Sequence, residues 1–270
     1  PGSIVTSDWR QATPTNVGKK NERLGEAQAE FEIAAHYLRK KETKYVENIG
    51  DEPFVPGKVT PMSANKHKDR TKQIKQVFAA GEHVYSQPKL DGLRAIVNIH
   101  GVFSRAGKPY PAVPHIYETL LPWLEQGYVF DGELYNHTLW DDFDELTSLI
   151  KKTKPTAADI AEAKEKIQFW VFDLVDFGTF EERRNKFKAA HRTMDDSVIV
   201  NVPTSTIHDE ANLDELYEQY QNDGFEGQMI RLNKEYEHRR TNSLLKRKEF
   251  QDAEFTITGF NEGKGNWAGT

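Results

Sequence analysis

An α+β fold of antiparallel sheets flanked by helices is predicted for this 270-residue chain, and three observations predict it. Short apolar segments rich in β-branched and aromatic residues recur along the sequence. Segments with helical spacing lie between some of them, but without the strict strand–helix–strand alternation that a parallel sheet demands. No glycine-rich dinucleotide or Walker-type loop is present.

Residues 1–20 are polar and aperiodic, as a flexible end is. Over 21–43, Leu24, Ala27, Phe31, Ala34, Ala35 and Leu38 fall near helical spacing, which predicts an amphipathic helix serving as core or docking surface. Gly50, Pro53, Pro56, Gly57 and Pro61 interrupt the next stretch, so 44–62 reads as a linker. Residues 1–60 are thus expected to be an N-terminal extension. Strands are predicted at 83–87, 93–99, 102–105 after a His100-Gly101 turn, 128–135, 167–175, 198–202, 225–232 and 244–250. Helices fit at 143–152, 156–166, 180–191 and 212–223. Together these outline one domain over 61–251. A further strand at 254–260 precedes a glycine-rich run, and a lone strand cannot bury a face. Residues 252–270 are therefore expected to begin a second, incomplete domain.

Composition narrows the classes of function. With 37% hydrophobic and 29% charged residues the chain suits a soluble globular protein. No stretch approaches the roughly 18 apolar residues of a membrane span, and the first residues lack a signal-peptide core, so a cytosolic, membrane-free protein is expected. Cysteine is absent, which excludes a disulfide framework and a thiolate zinc site within these residues. The net charge of −6 gives no global argument for a nucleic-acid partner. Two local basic segments exist, 66–75, with Lys66, Lys68, Arg70, Lys72 and Lys75, and 231–248, and each reads equally as a nucleic-acid face or as a solvated charged surface.

Candidate chemistry starts at Lys89-Leu90-Asp91-Gly92-Leu93-Arg94, between two apolar strands. A lysine attacks only as the free amine, which nearby positive charge or desolvation favours. Asp-Gly is equally a hairpin signal, and that reading leaves Lys89 a surface residue. Asp131-Gly132-Glu133 ends one strand, and Phe225-Glu226-Gly227-Gln228-Met229-Ile230-Arg231 begins another. Carboxylates presented from strands toward one cleft suit magnesium, which prefers hard oxygen ligands. Two-residue periodicity puts Lys246 and Lys248 on one strand face, suited to neutralising a phosphate or to guarding a sheet edge. Phe172 lies in the aromatic strand Phe169-Trp170-Val171-Phe172-Asp173-Leu174, where one ring at a cleft edge could stack on a purine.

Taken in order, Lys89 to Arg94, Ser104-Arg105, Asp131 to Glu133, Phe172-Asp173, Glu226 to Arg231 and Lys246 to Lys248 resemble the motif series of covalent nucleotidyltransferases. That superfamily holds DNA ligases, RNA ligases and messenger-RNA capping enzymes, and over about 60–270 the chain is most similar to small ATP-dependent DNA ligases of the bacteriophage type. The resemblance implies an ATP-grasp-like nucleotidyltransferase domain followed by the start of an oligonucleotide-binding fold. It implies a monomeric enzyme that seals nicks in duplex DNA with ATP and Mg2+. By matching position, Lys89 is the residue that becomes covalently attached to AMP. Arg94 and Arg105 match arginines near the nucleotide and the nick phosphate, and Gln87 sits where the adenine edge is read. Glu133 matches a glutamate near the ribose and metal, Phe172 the ring on adenine, and Glu226 the second metal-associated carboxylate. Lys246 and Lys248 match lysines that approach the α-phosphate. The family's last basic motif, which contacts pyrophosphate, has no counterpart before Thr270.

NAD-dependent ligases share Lys-Leu-Asp-Gly, but the tyrosine and aspartate pattern of their N-terminal module is missing from 21–43. An RNA ligase, a capping-type enzyme and an inactive nucleic-acid-binding module are the remaining alternatives. The spacing from Arg239-Arg240 to Leu244-Leu245-Lys246 favours a DNA ligase, and every motif retains its reactive residue.

Overall fold

The computed structural model describes residues 8–41 and 59–248, together with 256, 258 and 259. Most of the predicted linker, the end of the 244–250 strand, and most of the 254–260 strand and its second domain lie outside the described residues. The helix expected near 21–43 is α1, Gly25–Lys41. Within its own unit, Phe31, Ile33 and Leu38 on this helix remain exposed rather than in a core.

The larger unit, Pro56–Phe250, holds two five-stranded sheets. Its elements in chain order are β1 (Ser63–Lys66), α2 (Thr71–Ala79), β2 (Val84–Lys89), β3 (Leu93–Asn98), β4 (Gly101–Ser104), α3 (Pro114–Leu124) and β5 (Phe130–Tyr135). There follow α4 (Phe143–Ile150), α5 (Ala157–Lys166), β6 (Gln168–Leu174), α6 (Phe180–His191), β7 (Ile199–Asn201), β8 (Ser205–Ile207), α7 (Glu210–Asn222), β9 (Gly227–Leu232) and β10 (Arg240–Arg247). One sheet runs β1-β10-β9-β2-β8 and the other β4-β3-β5-β6-β7.

The pairing is antiparallel as expected except at two places, β1 with β10 and β6 with β7. The second exception follows from chain length. Helix α6 fills the connection from β6 to β7, and a crossover of that size returns the chain in the same direction. The mixed α+β class stands.

Local chemistry explains the helix starts. Thr156 and Thr179 each accept from the backbone amide three residues on, and Asp159 and Glu182 bond back to the cap, so both reciprocal capping pairs are closed. Asp142 and Asp209 cap α4 and α7 singly. Each sheet has a separate core. Val97, Phe130, Leu134, Phe169 and Val171 of the second sheet meet Ile116 and Leu120 of α3, Leu146 of α4 and Phe187 of α6. Val84, Ile230 and Leu245 of the first sheet meet Ile74 of α2 and Leu213 of α7.

The hairpin reading of Asp91-Gly92 is corrected here. Strand β2 pairs with β8 and β9, β3 pairs with β4 and β5, and the two never pair with each other. Leu90-Asp91-Gly92 carries the chain from one sheet to the other. A Cβ on Gly92 would stand 2.5 Å from Leu134 O and 2.8 Å from Glu133 Cγ, so only glycine lets the crossing lie this close to β5.

Candidate active site

A cleft of about 230 Å³ opens between the two sheets. From the first sheet come Gln87 and Lys89 on β2, Met229 and Arg231 on β9, and Arg240, Leu244 and Lys246 on β10. The second sheet supplies Arg94 on β3, Arg105 in the turn after β4, Glu133 on β5 and Phe172 on β6. Seven of the predicted site residues line this cleft: Gln87, Lys89, Arg94, Arg105, Glu133, Phe172 and Lys246. Glu226 and Lys248 join through direct contacts to the same cluster.

Strand β2 is buried along its length until Lys89, whose side chain is 20% exposed. The Lys89 ammonium donates to Glu226 Oε2, and Lys248 Nζ donates to Glu226 Oε1 at 2.5 Å. Glu226 N also donates to Lys89 O at 3.0 Å, which pins the two backbones together. This junction depends on Gly227, at φ +150, where a Cβ would stand 2.3 Å from Arg247 O. Any side chain there would push β10, and Lys248 with it, away from Glu226. Burial works against the charged Glu226 carboxylate, yet hydrogen bonds from Lys248 and Lys89 hold it below the usual glutamate range. Burial and the neighbouring cations Lys89, Lys248 and Arg240 lower the Lys246 amine.

Arg94 is set by a fork. Its Nε and Nη2 donate to Asp131 at 2.9 and 2.6 Å, and Tyr236 Oη donates to the same carboxylate at 2.7 Å. Burial opposes the charged guanidinium, but Asp131 raises it overall. Arg94 stands directly opposite Glu133 in the β3–β5 ladder. Glu133 accepts no hydrogen bond from the described residues, and burial pushes its carboxyl up to about 8 despite the nearby Arg94 and Lys89.

A consequence for stability can be measured. A carboxyl raised on folding favours the folded state while protonated, and that contribution fades as pH rises through the folded value. The wild-type unfolding free energy is therefore expected to fall relative to Glu133→Gln between about pH 5 and pH 9. Urea titrations across that range check it; parallel curves would mean an ordinary carboxyl.

Behind the cleft wall lies a polar network that sequence reasoning missed. Asp173 accepts from Arg183 Nε and Nη2 at 2.8 and 3.0 Å, and from Arg231 Nη1 at 2.8 Å. Arg231 Nε then donates to Gln87 Oε1 at 2.7 Å. The Gln87 amide donates to Phe172 O at 3.2 Å and Thr204 Oγ1 at 3.0 Å, so the side chain ties β2 to β6. Two guanidiniums flank the Phe172 ring, Arg231 at 5.3 Å and Arg94 at 5.4 Å from its centroid. Arg231 and Arg240 were readable in principle. Counting back by twos from Lys246 on β10 reaches Leu244 and Arg240, and counting on from Gly227 on β9 reaches Met229 and Arg231.

The family model described as ATP dependent DNA ligase domain matches residues 61–248. The chain belongs to that family. A DNA ligase of Haemophilus influenzae is 28% identical over 184 residues, 66% of this chain. That match spans 63% of the relative's own length, less than two thirds of it. Among solved structures, a Lig E DNA ligase superposes with a TM-score of 0.59 at 25% identity, covering 80% of this chain and 77% of the other. The ATP-dependent DNA ligase of bacteriophage T7, solved in complex with ATP, gives a TM-score of 0.57 at 17% identity over 72% and 70% of the two chains. The family and the fold thus agree with the resemblance carried by the motifs. Among the described residues of this ligase-family chain, no helix is long and apolar enough to cross a membrane.

Proposed function

We propose that the protein seals nicks in duplex DNA with ATP, and that Lys89 is the residue that carries AMP. The carrying observation is the placing of Lys89 in a cleft between sheets, with Lys246 on the wall and with Lys248 sharing its partner Glu226. Freed from Glu226 and deprotonated, the Lys89 amine attacks the α-phosphorus of ATP. A P–N bond forms and pyrophosphate leaves with the electrons of the broken P–O bond. A 5′-phosphate oxygen of the nick then attacks the AMP phosphorus and returns the electron pair to lysine. Finally the 3′-hydroxyl attacks the activated 5′-phosphate, loses its proton and expels AMP.

Such transfers are accelerated by positioning and by neutralising charge on nonbridging oxygens. Lys246 and Lys248 supply that charge beside the nucleophile, and Arg94, held rigid by Asp131, supplies it from the opposite sheet. Phe172 offers the ring for adenine and Arg105, exposed at the rim, a contact for the nick phosphate. Among the described residues no cluster of three or more His, Cys, Asp or Glu could enclose a metal ion by itself. The donors that exist fit magnesium, which needs only one or two carboxylates when nucleotide phosphates complete its shell. Glu133, lacking a hydrogen-bond partner among the described residues, and Glu226 would hold it. When bound, the ion would neutralise phosphate charge. We place the enzyme in the cytosol, acting as a monomer.

Incubation with α-labelled ATP, GTP and NAD in turn tests the reading. Label on Lys89 from ATP alone, passed transiently to the 5′-end of added nicked DNA and released as free AMP as the nick is sealed, is expected. Transfer from GTP or NAD, or release of the labelled AMP only when nicked RNA is supplied, would replace it with a capping-type, NAD-dependent or RNA-joining enzyme.

The DNA path makes a separate prediction. Lys66 and Lys68 border a basic depression with Lys246, Arg247 and Lys248, so positive charge continues outward from the cleft. Lys72 is exposed beyond it, whereas Arg70 bonds Asn242 and Lys75 faces Glu210. Nick binding is expected to weaken steeply with salt, and replacing Lys66, Lys68 and Lys72 by Ala should flatten the log–log slope by about 0.9 for each phosphate no longer neutralised. An unchanged slope would remove this face from the DNA-binding surface.

A further inference from the structure

We infer that His137 is a positioning residue for this reaction, closing a ring of contacts that clasps the chain segment carrying Lys89. The inference rests on the reading of Lys89 and Glu226 given above. His137 follows β5 by two residues and stacks on Phe225, with ring centroids 4.3 Å apart and planes 19° from parallel. Phe225 is the residue immediately before Glu226. The ring of Phe225 also meets the edge of Tyr220, and its amide donates to Tyr220 O, so its place is fixed from α7 as well. On the other side, His137 Nδ1 lies 2.8 Å from the hydroxyl of Tyr135.

Tyr135 closes the circuit. It follows Glu133 on the same face of β5, and its Cβ would stand 3.2 Å from a Cβ on Gly92. The segment from Lys89 to Gly92 is therefore held by β5 at one end and by the Glu226 amide at the other. Between those two holds, the bond from Tyr135 to His137 is local to the end of β5, and the stack of His137 on Phe225 is the contact that reaches across to the approach to β9 in the other sheet. Together they set how far the start of β9 stands from β5, and so how Glu226 meets the Lys89 amine. Trp140 reinforces the same corner by lying against Gly224, where a Cβ would stand 3.0 Å from the indole. Hydrogen bonding and stacking suffice for this role.

Displacements of about 1 Å at a reacting group can cost up to about a hundredfold in rate. His137→Ala is expected to slow single-turnover Lys89 adenylation by about tenfold or more, with the KM for ATP little changed. His137→Phe retains the stack and should recover most of the rate, and Tyr135→Phe should show an intermediate loss. Because the effect passes through Glu226, His137→Ala should cost almost nothing further in a Glu226→Ala background, where no group is left to aim Lys89. Thermal unfolding of each variant keeps folding apart from function; if His137→Ala unfolds, Tyr135→Phe and His137→Phe still carry the comparison. A wild-type rate in His137→Ala, no rescue by His137→Phe, or full additivity with Glu226→Ala overturns the proposal. Absence of any lysine-bound label in the parent protein would instead sink the reading of the site, and this proposal with it.

Discussion

Lys89→Ala is expected to take up no label from α-labelled ATP, a loss of at least about 10⁴-fold, comparable to removal of other covalent nucleophiles. Its fold should survive, because the side chain is partly exposed at the cleft and Glu226 keeps Lys248 as a partner. Lys89→Arg sharpens the test. A guanidinium can preserve the charge beside Glu226, but it stays protonated and cannot attack phosphorus. If charge in the cleft were all that position 89 contributed, the arginine variant would label. Silence from both variants, with unfolding curves close to wild type, isolates the amine itself. Labelled Lys89→Ala protein would end the assignment.

Glu226→Ala is expected to be the next most damaging change, at about 10²–10³-fold in single-turnover adenylation. The carboxylate holds Lys89 with one oxygen and Lys248 with the other, and Lys246 stands close enough to sense both cations. Without Glu226 these lysines repel one another, and the nucleophile loses the group that aims it. Glu226→Gln separates the two effects, since an amide can still accept a hydrogen bond but carries no charge. A rate for the amide variant midway between wild type and alanine would apportion orientation and charge. Equal, wild-type rates for both variants would reduce Glu226 to a surface residue.

The site was more legible in the sequence than its supports were. Lys89, Glu133, Phe172 and Lys246 could be named because the motifs carrying them are contiguous, each a few residues of unusual chemistry on a strand. Helix α3 escaped notice: it carries two prolines, Pro122 within it and Pro114 at its start, where no amide bond is lost. Strand β1 has the sequence Ser-Ala-Asn-Lys, with no strand-forming residue in it. It exists because β10, far along the chain, supplies a partner. The role of buried Arg183 was equally hidden, and so was the ion-pair network it makes with Asp173 and Arg231, since that network lies in a meeting of β6, α6 and β9 that no local pattern announces. Gln87 was named, from the resemblance, as sitting where the adenine edge is read, and its hydrogen bonds run to Arg231, Phe172 and Thr204.

The way the two sheets divide the sequence bears on how the protein comes into being. Strands β3 to β7 and the core beneath them draw on one uninterrupted stretch, from Leu90 to Val202. The other sheet is gathered from both flanks, from β1 and β2 before that stretch and from β8, β9 and β10 after it. During synthesis the inner layer can acquire all its strands while the outer one still lacks three of five. Until β9 and β10 leave the ribosome, the apolar faces of α2 and β2 have no completed partner, and the N-terminal strands are the part most in need of protection from aggregation. Lys89 therefore emerges early and waits for Glu226, Lys246 and Lys248, so the cluster proposed to hold the nucleotide is completed only once the chain has passed the last strand of the domain.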